Sequence, residues 1–193
     1  MYDLEADRVS EEIKRRCAKR VLLQLPDGLR PRAFELVKVL KRKTGAELFL
    51  SGDSCYGACD IALRGAEDLM PDLIVHYGHS RMLPDEEIAV LYVEAKLEID
   101  ADALVEVALP LIRGWGRAGL ASTVQHVHRL GEMAEALRKR GICALIGSGG
   151  RRTAFDGQVL GCDYSSARAV GDMVEGFLFV GGGRFHPWGL ALA

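Results

Sequence analysis

The feature that most restricts what this chain can fold into is an internal repeat. A fixed order of short apolar runs and longer helical patterns occurs twice along the 193 residues. In the first copy, residues 21–25 (VLLQL) run into Pro26-Asp27-Gly28, the pattern of a buried parallel strand entering a loop. Pro31 opens a helical stretch with Phe34, Val37 and Leu40 on one face. Basic residues then gather before Gly45, as at a helix C-terminus. Residues 47–52, 73–78 and 88–93 read as three further strands, and Ile61, Leu63, Ala66 and Leu69 suggest a short helix stopped by Pro71.

The second copy follows a helix predicted over 104–112 and a glycine-spaced linker. Residues 119–123 stand where 21–25 stood, and a helix follows with Val127, Leu130, Ala134 and Leu137 on one face. Residues 142–147 match 47–52, residues 177–182 match 73–78, and the terminal LALA (190–193) matches 88–93. The offsets are 98 from Val21 to Gly119, 104 from Leu73 to Phe177 and 103 from Cys59 to Cys162. Strands alternating with helices in a doubled order predict an α/β fold: a tandem repeat of two similar parallel-sheet domains. The expected domains are 1–100 and 101–193. The chain stops inside the last expected strand of the second copy, so that domain is expected to be incomplete.

Composition narrows the partners. Lys and Arg number 25 against 27 Asp and Glu, a net charge of −2, which removes the electrostatic argument for a nucleic-acid binder. The N-terminus lacks the apolar core of a signal peptide, and no stretch approaches the ~20 apolar residues that span a bilayer. A cytoplasmic chain without nucleic-acid or membrane partners is expected.

Five cysteines, Cys17, Cys55, Cys59, Cys143 and Cys162, do not read as a disulfide framework in a reducing compartment. In both copies one lies in the loop after the second strand: Cys59 is 19 residues before Gly78 and Cys162 is 19 before Gly181. Ligands of open parallel sheets bind outside the carboxyl ends of the strands, so both loops occupy the functional edge. A lone cysteine is more often packing than ligand, but repetition at one topological position favours a metal or cluster role. Soft thiolates with little imidazole nearby suit iron–sulfur or zinc. Cys55-Tyr-Gly-Ala-Cys59 fails the C-x3-C-x2-C spacing of ordinary radical S-adenosylmethionine (SAM) loops, because Ala62 stands at the third position. Cys55 is therefore expected to be packing or a chance neighbour, and Cys143 to be core. Gly147-Ser-Gly-Gly-Arg-Arg152 lacks the residues of a phosphate-binding loop and reads as a basic surface loop.

Four motifs in order, GDSCYGACDIA (52–62), VHYGHS (75–80), GQVLGC (157–162) and GGGRFHPWG (181–189), resemble archaeal diphthamide synthase. This is the non-classical radical-SAM family of the first step of diphthamide biosynthesis. The resemblance runs from about Val21 to the C-terminus. It implies three similar α/β domains, each giving one cysteine to a central 4Fe-4S cluster, with Cys59 and Cys162 the ligands of the first two and the third domain absent here. It further implies transfer of the 3-amino-3-carboxypropyl group from SAM to a histidine of translation elongation factor 2, with release of methylthioadenosine. A homodimer and an external electron donor also follow from it. Gln24, Asp27 and Gly28, at the end of the first strand, either contact SAM or form a tight turn. Tyr77, Gly78 and His79 are further candidates for the SAM pocket. Gly181 and Gly182 allow close backbone approach to a ligand, with His186 beside them. Two other readings stay open: a non-catalytic fragment or subunit whose partner supplies the third domain, and a plain α/β ligand-binding protein.

Overall fold

The repeat folds as two α/β units, Tyr2–Ala95 and Lys96–Ala193, in a computed structural model that describes residues 2–63, 68–82 and 88–193. The first unit runs α1 (Ala6–Arg15), β1 (Arg20–Gln24), a 3-10 segment (Asp27–Arg32), α2 (Ala33–Thr44), β2 (Glu47–Leu50), β3 (Leu73–Tyr77) and β4 (Val90–Val93). Its four strands are parallel in the order β2-β1-β3-β4. β1 and β3 are central and buried on both faces, which is why they read as nearly unbroken apolar runs. Val21, Leu23, Val75 and Tyr77 share one core with Val9, Ile13, Leu36 and Leu40 of the two helices. Leu22 and Ile74 point to the other face, with Phe49 and Ile61.

The buried face of α2 includes the expected Leu40 but departs from expectation at Phe34. Ala33, Leu36 and Leu40 are its buried residues, whereas Phe34 is 69% exposed and Val37 only partly buried. Pro31 lies in the 3-10 segment rather than opening the α-helix, and the core side of α2 is centred on Leu36 and Leu40 rather than on Val37. The Phe34 ring instead carries the Lys38 ammonium, 4.3 Å from its centre. The expected stop at Gly45 is observed, with φ 71° and its N–H donating to the Lys41 carbonyl. The short helix expected across 61–69 lies partly on residues 64–67, outside the described residues. Its described flanks are not helical.

The second unit contains α3 (Ala101–Ala108), β5 (Arg117–Ser122), a 3-10 turn (Val127–Arg129), α4 (Leu130–Arg138), β6 (Cys143–Leu145), α5 (Ser165–Arg168), β7 (Gly176–Val180) and α6 (Phe185–Leu192). Its parallel order β6-β5-β7 repeats the β2-β1-β3 part of the first sheet. One face carries Val105, Leu130, Met133 and Leu137; the other carries Val159, Tyr164 and Ala167. Gly119, the counterpart of Val21, pairs with Phe177, and a Cβ there would collide with the Phe177 ring.

Three expectations are corrected here. The terminal LALA is not a strand; it belongs to α6. Leu and Ala are strong helix formers, and a helix satisfies its own backbone hydrogen bonds where a strand needs a neighbour. Pro187, in the first turn, lacks only an N–H that would have no intrahelical partner. The helix before the linker is Ala101–Ala108 rather than 104–112, because Asp100 caps it by accepting from the Ala103 N–H at 3.0 Å. Cys143 begins β6 but is exposed, since β6 is a three-residue edge strand.

At the N-terminal edge of each sheet one carboxylate clamps the central strand. Asp72, just before β3, accepts from the N–H groups of Lys19 and Arg20 at 2.7 and 2.8 Å. Glu175, just before β7, accepts from Arg117 and Gly116 at 2.7 and 3.4 Å. The backbone donors Arg20 and Lys19 hold the Asp72 carboxyl below its ordinary value of 3.8. A depressed folded-state pKa contributes stability that is present above the unfolded pKa and lost as pH falls through the folded one. Asp72→Asn is therefore expected to lower the denaturant midpoint at neutral pH and to lose its effect in acid. Equal losses at pH 7 and at acid pH would refute the clamp.

Candidate metal centre

Cys59 lies on the loop leaving β2, at the C-terminal edge of the first sheet. It is exposed, next to the buried Ala58. The loop turns tightly there: the Asp60 N–H donates to the Gly57 carbonyl at 3.0 Å, and the Tyr56 N–H donates to the Asp60 carboxylate at 3.2 Å. Two residues hold the loop to the sheet. Arg30 donates to the carbonyls of Gly52 and Asp53. Gln24, 1% exposed at the end of β1, donates from Nε2 to the Asp60 carbonyl at 2.7 Å and accepts at Oε1 from the Ala62 N–H at 3.0 Å.

Cys162 occupies the matching position in the second unit. Leu160 and Asp163 exchange both backbone hydrogen bonds, at 2.9 and 3.2 Å, so Gly161 and Cys162 form the tip of a two-residue turn, and Cys162 is exposed. The preceding segment is fastened to β5 through backbone atoms. Ser122 N–H donates to the Gly157 carbonyl and Val159 N–H to the Ser122 carbonyl, both at 2.9 Å. The Phe185 ring fills the space a Cβ at Gly161 would need. Both cysteines thus stand third in a turn closed by an aspartate N–H, and the Cys-Asp pair recurs in the sequence at 59–60 and 162–163. That recurring pair is a signal readable in the sequence itself.

Exposed thiols at turn tips, flanked by glycine and alanine, are soft donors with room for a bulky thiolate-bound group. Each is suited by its exposure to serve as a thiolate ligand of an iron–sulfur cluster. Cys17 precedes β1 and Cys143 begins β6, so both lie at the opposite, N-terminal edges of their sheets.

A second group of donors comes together in the first unit. Cys55 is buried, with Sγ 3.9 Å from His76 Nε2 and 4.0 Å from His79 Nδ1; the two imidazole nitrogens are 3.0 Å apart. It is not a chance neighbour of Cys59, and the expectation of little imidazole near the thiols does not hold for it. His76 is wholly buried in β3, and its Nδ1 lies 2.9 Å from Gln24 Oε1. Since that oxygen is an acceptor, the ring hydrogen sits on Nδ1 and Nε2 keeps its lone pair. Burial, with His79 adding to it, brings His76 down to about 3. Burial, followed by the Asp60 charge, pushes the Cys55 thiol up to about 11.

The other predicted residues take varied places. Asp27 and Gly28 are exposed at the end of β1, with Asp27 3.0 Å from Arg30. Tyr77 is wholly buried in the hydrophobic core, and burial raises its hydroxyl above the ordinary range. Gly78 has φ 84° and passes so close to Pro26 that a Cβ would approach Pro26 Cγ to 2.9 Å. Gly181 and Gly182 are exposed beyond β7. His186 lies on α6 with its ring stacked on Phe179 at 6.1 Å, and burial lowers its pKa. The 148–152 loop is exposed, as expected of a basic surface loop.

Two parallel α/β units, each offering a cysteine on the same edge turn, define the class. The family model of diphthamide synthesis proteins matches residues 25–193, and the chain belongs to that family. It is 40% identical over 194 residues to the 2-(3-amino-3-carboxypropyl)histidine synthase of Pyrococcus horikoshii, covering 100% of this chain and 56% of that protein. To subunit 1 of the synthase of Encephalitozoon cuniculi it is 35% identical, covering 96% and 51%. The human subunit 1 is 32% identical, covering 96% and 42%. The crystal structure of Dph2 from Pyrococcus horikoshii matches the fold with a TM-score of 0.89 at 38% identity, covering 100% of this chain and 56% of that one. A second crystal structure of that protein is described with a 4Fe-4S cluster. The chain spans about half the length of these relatives.

Gln24→Leu leaves the Asp60 carbonyl and Ala62 N–H without their buried partner, and we expect a loss of about 2–4 kcal/mol of stability. Labelling of the buried Cys55 by a thiol reagent under native conditions should speed up at least tenfold. Unchanged labelling would show that Gln24 does not hold the loop.

Proposed function

We propose that this chain carries two thiolate-bearing units of a 2-(3-amino-3-carboxypropyl)histidine synthase. The reaction moves the 3-amino-3-carboxypropyl group of SAM to a histidine of translation elongation factor 2. The observation that carries this reading is the same Cys-Asp turn on the same edge of both units, in a chain 40% identical to such a synthase. Cys59 and Cys162 each ligate one iron of a 4Fe-4S cluster. When bound, the cluster supplies one electron for cleavage of the sulfonium's carbon–sulfur bond, with methylthioadenosine leaving.

The work of this chain's own residues is to hold and orient. Gln24 and Arg30 fix the loop that carries Cys59, and the backbone of Ser122 fixes the segment before Cys162. Asp27, Gly28, His79, Gly181, Gly182 and His186 are the proposed SAM contacts at the two edges. Gln24, Tyr77 and Gly78 act from behind them, because their side chains or backbones are engaged in the fold. The protein works as a cytoplasmic homodimer with an external electron donor.

Two thiolates are fewer than the three that hold such a cluster when SAM takes the fourth iron. This favours a second reading, in which a further segment or a partner subunit supplies the missing thiolate and the chain alone is inactive. Anaerobic reconstitution with iron and sulfide tests both readings. Iron bound per chain should fall by more than half in Cys59→Ala and in Cys162→Ala, and stay unchanged in Cys143→Ala. Methylthioadenosine release from SAM after dithionite separates an active chain from one that needs a partner. Iron loading indifferent to Cys59 and Cys162 would overturn the proposal.

A further inference from the structure

We propose that Cys55, His76 and His79 form a binding site for one divalent transition metal of the zinc type, separate from the exposed thiols Cys59 and Cys162. The three donor atoms lie within 4.8 Å of one another, on two different segments of the first unit. A zinc ion about 2.3 Å from sulfur and about 2.0 Å from nitrogen spaces tetrahedral donors roughly 3.3–3.6 Å apart. The observed separations of 3.9, 4.0 and 3.0 Å bracket that range, so shifts of a few tenths of an ångström would complete the three-donor face. A fourth position remains for water or a ligand donor.

The surroundings have the form of a second coordination shell. A metal-binding imidazole characteristically donates its other N–H to an oxygen that fixes its tautomer, and His76 Nδ1 does so to Gln24 Oε1 at 2.9 Å. Tyr92 packs on the same ring, with centroids 5.4 Å apart, and helps fix its plane. Cys55 is 5% exposed, so its sulfur is held away from bulk solvent and faces two imidazoles. One thiolate and two neutral imidazoles suit zinc, cobalt or ferrous iron better than magnesium or calcium, which take oxygen ligands. The bound ion ties the 51–63 loop to the end of β3, four residues ahead of Cys59. Gln24 is common to both, touching His76 and the backbone on the far side of Cys59. The site thus clips the loop on one side while Gln24 holds it on the other.

The test uses the full chain carrying Cys59→Ala and Cys162→Ala. Failure of the cluster reading and failure of this one are then independent. Anaerobic titration of the metal-free protein with Co2+ should give one equivalent bound per chain. It should also give a thiolate-to-cobalt charge-transfer band and the visible bands of four-coordinate cobalt, displaced by Zn2+. Cys55→Ser should abolish the charge-transfer band, and His79→Ala should weaken binding at least tenfold. Gln24→Leu should weaken it tenfold or more, since it frees both the His76 tautomer and the loop that carries Cys55, whereas Cys17→Ser and Cys143→Ser should leave it unchanged. His79 is only half-buried, so His79→Ala decides the matter should the Cys55 variant fail to fold, with circular dichroism as the check. Absence of the charge-transfer band, its survival in Cys55→Ser, or His79→Ala binding as tightly as its parent would overturn the proposal. The trio would then be a metal-free hydrogen-bonded network.

Discussion

Parallel strand pairing governs where chemistry can sit in this protein. A parallel neighbour cannot be reached by a tight turn; the chain must cross back over the sheet before the next strand begins. Every strand therefore exits at one edge and every crossover re-enters at the other. Cys59 and Cys162 follow β2 and β6, so each falls on the exit edge of its own sheet. Cys17 and Cys143 fall on the entry edges because they stand before or at the start of a strand. Sorting four of the five cysteines thus needs only the direction of the chain, before any side-chain contact is considered. The fifth, Cys55, is sorted by burial and by its two imidazoles.

The two exit loops solve the same anchoring problem with different groups. Near Cys59 the anchor is a side chain, the Gln24 carboxamide, buried at the end of β1. A buried amide left without partners costs roughly 1–3 kcal/mol for each unsatisfied group. Here Nε2 and Oε1 find the Asp60 carbonyl, the Ala62 N–H and His76. Near Cys162 the anchor is backbone: Gly157–Val159 runs beside Ser122 as a short extension of the sheet. The Ser122 hydroxyl meanwhile donates to the Val180 carbonyl at 2.8 Å and ties β5 to β7. Both loops are held at the strand end and leave the cysteine at the turn tip exposed.

Seven of the eight expected strands stand where the sequence put them, because the doubled run of apolar segments has one economical reading. The positions of Cys59 and Cys162 were legible for the same reason, since topology alone places them. The face of α2 was legible in part: Leu40 is buried as expected, but periodicity alone does not decide whether Phe34 or Leu36 takes the core side, which packing against the sheet does. LALA was misread because four apolar residues fit a strand or a helix equally well, and only the hydrogen bonds of α6 decide. The Cys55 group escaped notice because its members come from a loop and from the end of β3. His76 sits inside an apolar strand, where a buried histidine usually reads as core. Its partner Gln24 closes an apolar strand, and nothing in the linear pattern shows that its carboxamide meets the Asp60 carbonyl, the Ala62 N–H and His76.

The fastening of the cysteine loops has a further consequence for how such a protein can change over time. The anchors grip main-chain atoms: the carbonyls of Gly52, Asp53, Asp60 and Gly157, and the amides of Ala62 and Val159. A main-chain grip is indifferent to which side chain each residue carries. Exposed positions on the Cys59 loop, such as Ser54 or Tyr56, can therefore drift without moving the sulfur. What cannot drift freely is the fastener itself, Gln24 and Arg30 in one unit, and the narrow passage under Phe185 that only Gly161 fits in the other. Selection acting on the position of a reactive thiol would then fall largely on residues that are not part of the reaction.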